Sequence, residues 1–378
     1  MSRVVASPIL PTYARFGVTF VDGEGARLTA DDGTTYLDFA GGIAVVGLGH
    51  RHPEVTAAAH RQLDRLWHVS NLYWTEPMAQ LAGRLSERFG GAQAFFCNSG
   101  AEAVEAALKY ARKASGRHAV ASLEGSFHGR TLGALAVTGQ PAKRAAFEPL
   151  PGPVRFARPN DVESLEAVIG PDTGLVLMEP VLGEGGVVPL EPAFLEAAAA
   201  LAEEHDALLA FDEIQTGVGR TGTFFAWEQA GVRPDLVLLA KGLANGLPLG
   251  CLLVADEAAG EFEPGDHAST FGGNPVACAA ACAVCDAIDE DLLASVGGRG
   301  EELRTALGEL GAVRESRGRG LLVGAELDRP AGPVAQGCLE RGLLVTSAGE
   351  RVLRLTPPLT VERAEIDEAL DILREVLA

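Results

Sequence analysis

Through the middle of the chain, five nearly unbroken apolar runs are separated by segments with helical patterning. They read Ala94-Phe95-Phe96-Cys97, Gly174-Leu175-Val176-Leu177-Met178-Glu179, Ala207-Leu208-Leu209-Ala210-Phe211, Leu236-Val237-Leu238-Leu239-Ala240 and Cys251-Leu252-Leu253-Val254. A strand with one wet face alternates apolar and polar residues, so runs without alternation need cover on both faces. The pattern therefore predicts an α/β fold with a largely parallel sheet between helices. In such sheets ligands collect beyond the carboxyl ends of the strands. The residues that directly follow each run are the first candidates for chemistry.

The intervening segments predict helices over residues 100–114 and 193–205. Residues 18–21 and 35–39 read as short strands set off by Gly and Asp turns. After about residue 290 two helices flank short strands near 321–327 and 352–355, which predicts a smaller α+β domain. The expected organisation is an N-terminal segment, 1–50, that packs with the small domain, a large domain over 51–285, and a small C-terminal domain over 286–378.

A net charge of −20 over 378 residues argues against nucleic acid or an anionic membrane as partner, because both repel an acidic surface. No apolar run approaches the ~20 residues of a membrane span, and the stretch Met1-Ser2-Arg3-Val4-Val5-Ala6-Ser7-Pro8 is too short for a secretory signal. The expectation is a cytoplasmic protein. The spacing Cys278-x3-Cys282-x2-Cys285 can mark an iron–sulfur site, but in an Ala-rich helix it puts the cysteines on one buried stripe. His50 and His52 have no clear third ligand, so no metal is expected.

Only four lysines occur among 31 basic residues, so amine chemistry has four candidates. Lys109 and Lys113 fall off the apolar stripe of the 100–114 helix, and Lys143 follows Gln140-Pro141 in what reads as a surface loop. Lys241 directly follows the run 236–240 and precedes Gly242-Leu243-Ala244-Asn245-Gly246. Desolvation there would lower its pKa and supply the neutral amine that a Schiff base requires. The other reading is a strand-end lysine reaching to solvent. Asp212 ends the run 207–211, where a buried carboxylate needs a cationic partner or acts as a cap. Ser99-Gly100-Ala101-Glu102 fits a capping box and also offers helix N-terminal N–H groups to a phosphate. Gly217-x-Gly219-x-x-Gly222 fits a dinucleotide loop and would indicate a nicotinamide-dependent dehydrogenase, but Thr223-Phe224-Phe225-Ala226-Trp227 does not open a helix.

With these residues placed, the sequence resembles the class III (ornithine/4-aminobutyrate type) aminotransferases over nearly its whole length. The carrying motifs include Gly49-His50-Arg51-His52-Pro53, Asn98-Ser99-Gly100-Ala101-Glu102, Phe127-His128-Gly129-Arg130-Thr131, Glu179-Pro180, Gly183-Glu184-Gly185-Gly186, Asp212-Glu213-Ile214-Gln215-Thr216-Gly217, Ala240-Lys241-Gly242, Thr270-Phe271-Gly272-Gly273-Asn274-Pro275 and Arg354-Leu355-Thr356-Pro357-Pro358.

The resemblance implies a pyridoxal 5'-phosphate enzyme of fold type I that works as a homodimer with shared active sites. Lys241 would hold the cofactor and shuttle a proton, and Asp212 would pair with its ring nitrogen. Phe127 and Ile214 would sandwich the ring and Gln215 approach its hydroxyl. Ser99, Gly100 and Ala101 would hold the phosphate, joined by Thr270 from the other subunit, with Ser269 near the substrate. Arg130 would bind the α-carboxylate of an acylated diamine. Arg354 would bind that of glutamate, with Glu184 masking it when the amine donor is bound. The implied reaction moves the δ-amine of N2-acetylornithine to 2-oxoglutarate. The alternative is the same chemistry on succinylornithine, ornithine, 4-aminobutyrate or a carrier-linked lysine. Leu182, Val104 and Gly47 depart from the family's usual Gln, Asn and Asn. Leu182 and Gly47 are expected near the substrate mouth.

Overall fold

The computed structural model describes residues 8–378; the start of the chain read above for an export signal lies, through residue 7, outside the described residues. Seven strands make the central sheet: β1 Ala92–Cys97, β2 Ala119–Leu123, β3 Val154–Ala157, β4 Thr173–Met178, β5 Leu208–Asp212, β6 Leu236–Leu239 and β7 Gly250–Ala255. Their spatial order is β1-β7-β6-β5-β4-β2-β3. The pairs from β6 through β5, β4 and β2 to β3 are parallel, and only β7 runs against its neighbours β6 and β1.

Every residue of β4, β6 and β7 is buried. Successive side chains go to opposite faces: Leu236 and Leu238 pack with the helix Gly100–Ser115, while Val237 and Leu239 pack with the helices Glu76–Phe89 and Pro275–Ala287. Phe211 and Met178 pack under the helix Pro192–Glu204. Each such side chain contributes about 1.5–3 kcal/mol by leaving water. This is why the apolar runs carry no alternation: both faces of the sheet are covered.

In the helix Pro275–Ala287, Asn274 Oδ1 accepts from Val276 N at 3.0 Å, and Pro275 fills the first turn, where its missing N–H costs nothing. Cys278, Cys282 and Cys285 are buried in it, as the stripe reading expects. The Gly217–Gly222 segment is a run of turns that opens no helix, so a dinucleotide site has no helix N-terminus there.

The C-terminal part has a four-stranded antiparallel sheet in the order Val313–Arg319, Leu322–Leu327, Val352–Leu355, Thr346–Ala348. Three helices accompany it, Glu290–Gly308, Ala331–Leu339 and Arg363–Leu377, where the sequence predicts two. The middle one contains Gly332 and Gly337, whose low helix propensity hides it. The N-terminal strands Phe20–Glu24, Arg27–Ala30 and Thr35–Asp38 form a sheet closed by Leu343–Leu344, which pairs in parallel with Thr35–Asp38. One apolar cluster runs from Phe39 through the helix Pro275–Ala287 to Leu377. Among the described residues no helix is long and apolar enough to cross a membrane.

Candidate active site

The carboxyl ends of β1, β4, β5 and β6 open into one cavity of about 340 Å³. Its lining includes Ser99, Gly100, Phe127, Glu179, Asp212 and Lys241. These residues are far apart in sequence and meet because the parallel strands end on one edge.

Lys241 begins the turn Lys241–Ala244 just past β6. Its φ is +43°, a left-handed conformation that costs a non-glycine residue about 1 kcal/mol and is characteristic of functional positions. Asn245, also left-handed, ties the same turn to the N-terminal segment: its Oδ1 accepts from Leu48 N at 2.8 Å and its Nδ2 donates to Gly49 O at 2.9 Å. Lys241 Nζ makes no hydrogen bond among the described residues. Burial, reinforced by the Arg354 charge, lowers its pKa to about 8, although Glu184, Glu179 and Asp212 pull the other way.

Asp212, at the end of β5, is buried and held on both oxygens. His128 Nδ1 donates to Oδ2 at 2.6 Å, and Ile214 N donates to Oδ1 at 3.1 Å. His128 is itself fixed by its backbone N–H, which donates to Thr138 Oγ1 at 3.0 Å. The pair crosses 84 residues of sequence, so the motif that contains His128 gives no hint of it.

Opposite this pair, Ser99 caps the helix Gly100–Ser115, with its Oγ accepting from Glu102 N at 3.3 Å. The capping box predicted from Ser99 and Glu102 is only half formed. Glu102 Oε2 accepts from Asn98 N and Asn98 Nδ2, both at 2.8 Å, one residue before the cap. The backbone N–H groups of Gly100 and Ala101 donate to nothing among the described residues and face the cavity, where an anion would find them. A Cβ at Gly100 would lie 2.6 Å from Ile214 Cδ1, so only glycine lets Ile214 sit beside the helix end.

Glu179 follows β4 and joins two loops: its Oε1 accepts from Phe127 N at 2.9 Å and its Oε2 from Gly183 N at 3.0 Å. Burial raises its pKa, which His128 opposes. Beyond it, Arg354 is 2% exposed and bound from several sides. Its Nη1 donates to Glu184 Oε1 at 2.5 Å, Gln215 Oε1 at 3.1 Å and Gly183 O at 3.1 Å, and its Nε to Thr346 Oγ1 at 3.1 Å. Burial would raise the pKa of Glu184, but Arg354, assisted by Lys241 and Lys143, holds it below the usual carboxylate range.

Arg130 differs from Arg354 in every respect. It is exposed, makes no hydrogen bond among the described residues, and lies with Cζ 5.6 Å from the centroid of the Phe127 ring. Lys143 is not the solvated loop residue the sequence suggests. It sits in a short helix, Pro141–Arg144, half-buried, with Nζ 5.0 Å from the same centroid. Lys109 and Lys113 are exposed as expected, yet both reach the 263–267 segment, where Lys113 pairs with Asp266 at 2.5 Å.

Ser269 Oγ accepts from Asn98 Nδ2 at 3.1 Å, which places it beside the turn that opens the helix Gly100–Ser115. Thr270 is exposed and does not line the cavity of its own chain. Of the three departures, Leu182 is buried in the core under the helix Pro192–Glu204, away from the mouth where it was expected, because it pairs with Val188 in a hairpin. Val104 is core as well. Gly47 lies against the Lys241 turn, where an added Cβ would meet Gly242 Cα at 3.9 Å. The sequence reading singled out neither His128, Glu179 nor Lys143 as a site residue. Their only signal is a place within or beside the motifs that carry the resemblance.

Comparisons with known proteins show the family and the fold. The family described as "Aminotransferase class-III" matches residues 11–377. An acetylornithine aminotransferase from Corynebacterium efficiens is 44% identical over 98% of this chain and 95% of its own length. The structure of an ornithine aminotransferase from Toxoplasma gondii, with pyridoxal phosphate at partial occupancy in its active site, superposes with a TM-score of 0.93 at 32% identity, covering 98% of this chain and 91% of that one. An N-acetylornithine aminotransferase structure from Stenotrophomonas maltophilia gives a TM-score of 0.84 at 36% identity, covering 96% of each chain.

Proposed function

The chain belongs to the class III aminotransferases, and on that premise we propose that Lys241 is the amine that holds pyridoxal phosphate, with Asp212 as the counter-charge to its ring nitrogen. The enzyme is a pyridoxal-phosphate-dependent transaminase. One observation carries the assignment of its site: a half-buried lysine with no hydrogen bond among the described residues shares a cavity with a buried carboxylate and with the free N–H groups of a helix end. The donor set fits the cofactor. Ser99, Gly100 and Ala101 suit its phosphate, Phe127 and Ile214 its two faces, and Gln215 its hydroxyl. Once bound, the group withdraws electrons from the substrate carbon that bears the amine.

The residues of the chain do the rest. Asp212, itself positioned by His128, would keep the ring nitrogen charged. Lys241 Nζ, its pKa lowered to about 8, would be neutral in a large share of molecules near that pH and would take a proton from the substrate carbon and return it. The reaction transfers the δ-amine of N2-acetylornithine to 2-oxoglutarate, giving N-acetylglutamate 5-semialdehyde and glutamate, a step of arginine biosynthesis. The name and near-complete coverage of the relatives support that substrate. Arg130 at the mouth would take the α-carboxylate of the diamine and leave its distal amine over the cofactor. For glutamate, Glu184 would swing off Arg354, and the guanidinium would take the α-carboxylate by bidentate pairing. The same arrangement would accept other ω-amines with a carboxylate at the far end.

A homodimer with shared sites is supported by the exposed apolar residues Trp67, Leu72, Tyr73 and Trp74 beside Asn71, whose Nδ2 donates to Ser269 O, and by the exposed Thr270, which does not line the cavity of its own chain. Such a patch is costly in water and suits a subunit contact. The test has two arms on separate samples: borohydride reduction and peptide mapping of the yellow protein, and, on the unreduced enzyme, a panel of ω-amine donors with 2-oxoglutarate as acceptor. The label is expected on Lys241 and the highest kcat/KM on N2-acetylornithine. A colourless protein that tightens on nicotinamide nucleotides would overturn the reading.

A further inference from the structure

Lys143 is held at the mouth of the cavity by an arrangement that the transamination chemistry leaves unused. Its ammonium donates to Gln140 Oε1. Gln140 Nε2 in turn donates to Gly125 O at 3.0 Å and Ser126 O at 3.3 Å, the two residues before Phe127. Lys143, Gln140 and Phe127 are therefore one unit, and the flexible lysine stem is fixed relative to the ring that lines the cavity. Nζ is 5.0 Å from the Phe127 centroid, and Arg130 Cζ is 5.6 Å from it.

Neither cation has a carboxylate within ion-pair distance among the described residues, in a protein whose net charge is −20. Glu184, the strongest acidic influence on Lys143, is already held by Arg354 at 2.5 Å. Attraction to the ring face offsets only about 0.5–1 kcal/mol of the repulsion between two such cations. An anion placed between them would relieve the rest.

We propose that Lys143 is a specificity residue that, with Arg130, forms a two-cation receptor for the far-end carboxylate of the amine donor. It would strengthen the donor end of the site and reach the Arg354 end, where glutamate would bind, only at long range through its charge on Glu184. This rests on the ω-amine reading above, and it names which residues hold that substrate's carboxylate.

The test uses the holoenzyme and the variants Lys143→Ala and Lys143→Arg, with N2-acetylornithine, with N-acetylputrescine (the same donor without its carboxylate) and with glutamate in the reverse direction. Lys143→Ala is expected to raise KM for N2-acetylornithine about tenfold while kcat changes less than twofold. KM for N-acetylputrescine and for glutamate is expected to stay within twofold, and Lys143→Arg to restore most of the donor affinity. An unchanged KM for N2-acetylornithine would overturn the proposal, as would an equal rise for the donor and its carboxylate-free analogue. If the wild type turns over another ω-amine instead, the donor reading fails by itself. The same comparison is then made on that donor and its decarboxylated analogue.

Discussion

At the inner end of the cavity, Asp212 is met by His128 at 2.6 Å and by Ile214 N at 3.1 Å, whereas at the mouth Arg130 and Lys143 meet no carboxylate among the described residues. At the inner end, Asp212 and His128 are buried and held by the protein itself. The outer ones are exposed or half-buried, and their charge is left for a ligand. Catalytic electrostatics work best when the dipoles are already in place, because no reorganisation is then needed at the moment of reaction. Substrate capture needs the opposite, a charge not yet neutralised. Arg354 stands between the two cases: it is buried like the inner group, yet its partner Glu184 is a side chain that can leave.

Lys241→Ala should give the largest effect, a loss of at least about 10³-fold in kcat, because no other described lysine amine reaches the cavity interior. Activity within tenfold of wild type would break the division at its inner end. Asp212→Ala should follow, lowering kcat by about 10²- to 10³-fold with little change in KM for either substrate, as expected of a group that acts through the cofactor.

His128→Ala should act on stability as well as rate. It leaves the Asp212 carboxylate without its main partner in a buried site, a loss of about 3 kcal/mol. Calorimetry should show Tm lower by roughly 4 °C. A variant as stable as wild type would mean that Asp212 is not restrained by this bond.

The lysine itself makes a pH prediction for the cofactor-free protein. Its folded-state pKa, about 8, lies below the ordinary 10.5 of the unfolded chain. The unfolded chain therefore binds the extra proton between those values, and folding stability should rise with pH from about 8 towards 10.5. The rise should be up to about 3 kcal/mol and should vanish in Lys241→Met. The smallest effect is expected from Glu184→Ala, a change of a few-fold in KM for N2-acetylornithine, since that donor uses the mouth and not Arg354.

Much of this was legible in the residues. The unbroken apolar runs at 174–178, 207–211 and 236–240 are visible because both faces of β4, β5 and β6 are covered, and the residues after them, Glu179, Asp212 and Lys241, do end at one cavity. Strand direction was not legible: β7 has the same apolar composition as its parallel neighbours and runs against them. Nor was the closing of the N-terminal sheet by Leu343–Leu344, a pairing across some 300 residues that no local pattern encodes. Lys143 was misplaced for a similar reason. Pro141 and Gln140 are turn residues in any window, and only the folded chain shows Gln140 bound to the loop before Phe127. The site's acids and amine follow from strand ends, which are local. Its positioning contacts are long-range and need the tertiary structure.

The division between inner end and mouth is tested most directly by rapid-mixing absorbance of the two half-reactions in Arg130→Ala. The expected result is a fall of about 100-fold in kcat/KM for N2-acetylornithine, the size of a lost charged hydrogen-bonded pair, with the glutamate half-reaction changed by less than about threefold. Equal losses in both half-reactions would contradict the account, because they would place Arg130 with the shared inner machinery instead of the donor's carboxylate.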